Sequence, residues 1–196
     1  MNFENARSLI TEPTTADAVN LLKSSRYYPS HRALVMLASR AEDDPQNDSL
    51  LALSCSVYGW MPTILKNWDF KNFNVEQPIA VVRNLSNVED AREFVLQIDT
   101  VSPINNSWIG LSKLLHFLNP ELFPIWDSRI AKHFGLNWPS QFNRKDIYIS
   151  YFDFVHETLS QEPNNVAAVA QFITNEHGYK PSNVRCLELM LFETIA

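Results

Sequence analysis

Glycine is scarce in this chain, with only 4 in 196 residues. Neither a G-x-G-x-x-G turn nor a Walker-type loop occurs, which excludes the usual backbone cradles for nucleotide phosphates. Cysteine is scarcer still. Cys55 and Cys186 stand far apart with no C-x-x-C pair, so zinc or iron–sulfur spacing is excluded and free intracellular thiols are expected. Long hydrophobic runs are missing too: "LLALSCSVYGWMPTIL" is too short and too proline-interrupted to cross a bilayer. The N-terminal "MNFENARSLITEPTT" lacks the basic and apolar regions of a signal peptide. A cytoplasmic protein without membrane partners is expected.

Basic charge is short overall, at a net −6, but it is uneven. Between Lys113 and Lys145 five basic residues face two acids, a local +3 that leaves −9 elsewhere. A segment of that kind reads either as a solvated surface or as a contact for a few phosphates. The five histidines include no H-E-x-x-H pair or other ligand spacing, so neither a metal nor a cofactor is expected. His116 and His133 read as helix-surface residues.

What is present is helical periodicity. With 45 % hydrophobic and 19 % charged residues, the composition is that of a globular domain. Apolar positions recur at helical spacing in "TTADAVNLLKSS", "HRALVMLASRAEDD", "DSLLALSCSVYGW", "LSNVEDAREFVLQI", "SWIGLSKLLHFL", "DSRIAKHFG" and "RKDIYISYFDFVHETLSQ". "NNVAAVAQFITNEHG" and "PSNVRCLELMLFETI" follow the same pattern. "DSLLALSCSVYGW", apolar around most of its circumference, predicts the central buried helix. Ser86 with Glu89 predicts a capping box, Ser107 an N-cap, and Gly135 a helix end. Only "PIAVVRN" suggests a strand. An all-α fold is expected over 1–196, one compact unit of two lobes with the cleft near 107–135.

Chemistry concentrates at "ELFPIWDSRIAKHFG". Pro124 biases Phe123 towards extended backbone, and Asp127 then stands where an N-cap belongs. Capping alone accounts for an Asp there. Trp60 in "VYGWMP" reads as core packing or as a pocket wall.

Phe123, Pro124, Ile125, Trp126, Asp127, Ser128, Ile130 and Lys132 also match a pattern of helix–hairpin–helix DNA glycosylases, in which the catalytic Asp opens a helix. The resemblance covers about 30 residues, from Asn106 to Gly135. Bifunctional members carry a nucleophilic Lys two positions beyond the last hairpin glycine; here Lys113 follows Gly110 by three. The Gly-rich hairpin itself is absent, and so is the four-cysteine cluster of some members. The resemblance implies a glycosylase-like fold and double-stranded DNA bearing a damaged or modified base as the partner. Asp127 would be the catalytic carboxylate, and Lys113 either the Schiff-base nucleophile or a phosphate contact that leaves a monofunctional enzyme. Arg129 and Lys132 would contact phosphate, while Trp60, Trp108, Trp126 and Tyr58 would wall the extruded base. The other reading is a non-enzymatic all-α module that binds DNA or protein, as in a stress or phage-defence system.

Overall fold

A computed structural model of the chain describes residues 1–10, 27–61 and 63–193. The fold is all-α, and the described residues contain a single isolated β-bridge between Trp68 and Ile104. The helix expected over 14–25 lies outside the described residues. The helices are α1 (Phe3–Ser8), α2 (Tyr27–Arg40), α3 (Asp48–Trp60), α4 (Pro78–Asn84), α5 (Val88–Gln97), α6 (Trp108–Leu118) and α7 (Ser128–His133). They are followed by α8 (Pro139–Phe142), α9 (Lys145–Gln161), α10 (Pro163–His177) and α11 (Asn183–Glu193), and a 3₁₀ turn spans Phe70–Phe73. No helix among the described residues is long and apolar enough to cross a membrane.

The centre belongs to α6 rather than to α3. Every residue of α6 except Ile109 is buried, and it packs against α2, α3, α4 and α9. Helix α3 buries one face through Leu50, Leu53, Ser54, Val57 and Tyr58, while Cys55 reaches solvent. Gly110 of α6 lies against the Tyr58 ring, where any Cβ would collide with the phenol hydroxyl.

"PIAVVRN" is a helix, α4, and not a strand. Pro78 occupies its first turn, where a missing N–H costs nothing. The Asp43 carboxylate accepts the N–H groups of Ile79 (3.0 Å) and Ala80 (2.7 Å), a cap supplied from outside the segment. The β-branched residues then bury Ile79 and Val82 at helical spacing. Helix α5 is capped by Asn87, one residue beyond the expected Ser86. Ser107 caps α6 through the Gly110 N–H (3.1 Å), and Gly135, with φ of 75°, follows the end of α7.

After a turn at 120–122 the chain is buried from Leu122 to Trp126, with no sheet partner among the described residues for its carbonyls. Side chains serve them instead: His156 for Leu122 (2.8 Å), His116 for Phe123 (2.7 Å), Tyr148 for Pro124 (3.2 Å) and Ser112 for Trp126 (3.3 Å). Ser112 also accepts the Trp126 N–H at 2.9 Å. Two of these anchors sit on α6 itself, so the segment is pinned back along the helix it has just left. That register delivers Asp127 beside Lys113.

Candidate active site

Lys113 projects from α6 and Asp127 opens α7. The Lys113 Nζ donates to Asp127 Oδ2 at 2.9 Å, with side chains only 9 % and 18 % exposed. The other carboxylate oxygen, Oδ1, accepts the Arg129 N–H at 2.9 Å. Asp127 is therefore a helix cap with one oxygen and an ion-pair partner with the other. Burial pushes its pKa up, but the Lys113 charge and the Arg129 amide more than offset that, and the group lies below the usual carboxylate range. The site holds a fixed anion.

Two cavities meet at this pair. An inner pocket of about 110 Å³ is lined by Trp60, Ile125, Arg185, Glu188 and Phe192 together with Met61, Lys113 and Asp127. An open outer groove of about 890 Å³ runs past Tyr58, Ile64, Lys66, Asn105, Ser107 and Asn143. Met61, Lys113 and Asp127 border both, so the ion pair stands at the neck between them. Asn105, in the left-handed region with φ of 49°, shapes the groove wall: its Oδ1 accepts the Lys66 and Asn67 N–H groups, and its Nδ2 donates to the Ile64 carbonyl. Ile64 itself is 74 % exposed on that rim.

The aromatic residues sort unequally. Trp60 lines the inner pocket, its indole N–H donating to Ser30 Oγ (3.0 Å) and its ring 5.7 Å from Lys113 Nζ. Tyr58 lines the outer groove. Trp108 and Trp126 border neither cavity. They are fully buried in the core, their indole N–H groups donating to the Thr100 and Phe142 carbonyls. The Arg129 guanidinium lies 4.2 Å from the Phe192 ring centroid, while Lys132 is exposed on α7.

His116 and His133 are interior residues, contrary to the surface positions expected for them. Ring nitrogens of His133 and His116 bond the carbonyls of Leu191 and Phe123, and His116 also meets His31, Nε2 to Nε2, at 2.8 Å. Among the described residues no three His, Cys, Asp or Glu side chains converge to hold a metal.

Helix α11 closes the inner pocket with a pair the motif did not reach. Arg185 and Glu188 are buried at i, i+3 spacing, the guanidinium donating to Glu188 Oε1. Burial drives the Glu188 pKa up against the pull of Arg185. Its Oε2 is buried without a hydrogen-bond partner among the described residues. The signal was present in "NVRCLELMLF", where two charges one helical turn apart interrupt an apolar run.

Comparison with protein-family models, with curated proteins and with solved structures found no match.

Proposed function

We propose that this protein is a DNA glycosylase-like enzyme that cleaves the N-glycosidic bond of a damaged or modified base in duplex DNA. The observation that carries the reading is the largely buried Lys113–Asp127 pair, standing where an open groove meets a pocket of ring size. An extruded nucleotide held with its sugar at that neck would place C1′ beside both groups and its base in the inner pocket.

The chemistry follows from the charges. As the C1′–N bond breaks, positive charge develops on the deoxyribose, and the ionised Asp127 stabilises it without reorganisation, because Arg129 and Lys113 already fix both oxygens. Asp127 can instead activate a water for direct hydrolysis. In a lyase course the Lys113 ammonium gives a proton through Asp127 to the departing base. The amine electron pair forms the N–C1′ bond as the base leaves with the electrons of the broken one. The resulting adduct opens to a Schiff base.

Binding of full-length protein to duplex carrying an abasic-site analogue, against undamaged duplex and across a salt series, tests this reading. Tighter, salt-weakened binding at the lesion is expected, altered in Asp127→Asn and Lys113→Ala. Borohydride reduction on an abasic duplex should trap a covalent adduct at Lys113 that is absent from Lys113→Ala. Equal binding to both duplexes at low salt would overturn the proposal and leave the interaction-module reading.

A further inference from the structure

The inner pocket has chemistry of its own beyond the ion pair at its mouth. Arg185 and Glu188 line it but not the outer groove, so they lie on the side away from the neck. With Glu188 ionised, the four charged groups around it, Lys113, Asp127, Arg185 and Glu188, sum to zero, which disfavours a phosphate or carboxylate guest and suits a neutral one. Trp60 and Phe192 supply aromatic walls, each held by a neighbour: Trp60 by Ser30 and Phe192 by the Arg129 guanidinium.

Two observations define the guest further. The first is size. An enclosed apolar cavity of about 150 Å³ takes one benzene ring. A pocket of about 110 Å³, open at its neck, fits one six-membered ring more closely than a fused bicycle. The second is Glu188 Oε2, a carboxylate oxygen in a residue 1 % exposed, left without a donor. An unpartnered buried acceptor is costly to the fold, and a guest N–H that reaches Oε2 as the pocket wall shifts relieves it. Beside it Arg185 carries five N–H donors, one of them bonded to Glu188 Oε1.

Resting on the glycosylase reading for how the base arrives, we infer that the inner pocket receives a pyrimidine base by a ring edge presenting an N–H donor next to an acceptor, with Glu188 Oε2 accepting the N–H and Arg185 donating to the acceptor. Glu188 is thus a specificity-determining residue. Both cytosine and uracil rings present such an edge. A purine presents it too and is disfavoured by the small volume.

The test needs no DNA. Full-length protein labelled with nitrogen-15 is titrated with 1-methyluracil, 1-methylcytosine, 1,3-dimethyluracil and 9-methyladenine, following the Trp60 indole signal. The two monomethyl pyrimidines are expected to bind at the pocket. The dimethyl compound, which has lost its N–H, and the adenine should bind about tenfold more weakly or not at all. Glu188→Gln, whose amide replaces the carboxylate, should lose most of the preference for 1-methyluracil over its dimethyl analogue. If that variant does not fold, the wild-type comparison still decides. Equal binding of 1,3-dimethyluracil, or tighter binding of 9-methyladenine, would overturn the inference. The abasic-duplex experiment separates the two claims. Lesion binding without pyrimidine selectivity defeats this inference alone, whereas pyrimidine binding without lesion binding defeats the glycosylase reading and leaves the pocket assignment standing.

Discussion

Asp127 poses a question that its two oxygens answer separately, and side-chain chemistry can pull the answers apart. Asparagine caps helices about as well as aspartate but carries no charge. Asp127→Asn therefore keeps the bond to the Arg129 N–H and loses the charge-assisted bond from Lys113, at about 1.5–3 kcal/mol. Asp127→Ala loses the cap as well, about 1 kcal/mol further. Urea denaturation of the two variants should rank them in that order, and equal stabilities would mean that the cap contributes nothing. Base release, in contrast, should fall about 100-fold or more in both, since the fixed anion is gone from each. At this scale the residue types were legible because cap and pattern both lie within a few positions of Asp127. Glu188 and Arg185 were not connected to it, since 57 residues or more of intervening chain hide their approach. Trp108 and Trp126 were misleading for a related reason: an indole looks the same in sequence whether its N–H finds a buried carbonyl or its ring lines a cleft.

Among the elements, the helices whose caps are local were readable and those with remote caps were not. Ser107 and Asp127 act on amides two or three residues away. Helix α4 depends on Asp43, 36 residues before Ile79, and its β-branched run alone therefore resembles a strand. The extended segment before α7 is similar, because its carbonyls are served by His116, Ser112, Tyr148 and His156 rather than by a neighbouring strand. The packing of α3 on α6 yields a sharper expectation. A methyl group at position 110 must displace the Tyr58 ring, whose hydroxyl borders the helix backbone. Overpacking of this kind costs about 1–3 kcal/mol, more than alanine gains over glycine in helix propensity. Gly110→Ala should accordingly lower the thermal midpoint, and Gly110→Ala combined with Tyr58→Phe should recover part of the loss. A stabilised single variant would show that α3 and α6 approach less closely than the structure has them.

Across the whole molecule, acid should unfold this protein through its buried histidines. His116 Nδ1 must donate to the Phe123 carbonyl, so in a neutral ring its Nε2 accepts from His31 Nε2. His31 Nδ1 is then left to accept from the Tyr179 hydroxyl at 3.4 Å. Every proton position in this chain is fixed by its neighbour, and a further proton has no acceptor to meet. Burial depresses both rings, Arg185 depresses them further, and His116 is held at about 3 although the Phe123 carbonyl opposes the shift. Burial also lowers His133 and His156, each against the carbonyl it bonds. Since these folded-state values lie below the unfolded value of about 6.5, the unfolded chain binds more protons as pH falls. The stability the neutral rings contribute is present above pH about 6.5 and drains below it. Glu188 works in the opposite sense, because burial raises its pKa and the folded state takes its proton first. One carboxylate against the His31–His116 pair leaves a net uptake on unfolding that grows to about one proton by pH about 5.5, or about 1.4 kcal/mol per pH unit there. Asp127, depressed by Lys113, adds to the loss only at lower pH, as its own carboxylate protonates. Urea denaturation at steps from pH 7.5 to 4.5 should show this slope beginning near pH 6.5. His31→Gln with His116→Gln should flatten it. A stability constant across that range would mean that water or a rearranged core accommodates the charged rings, and that the hydrogen-bonded chain does not hold them neutral.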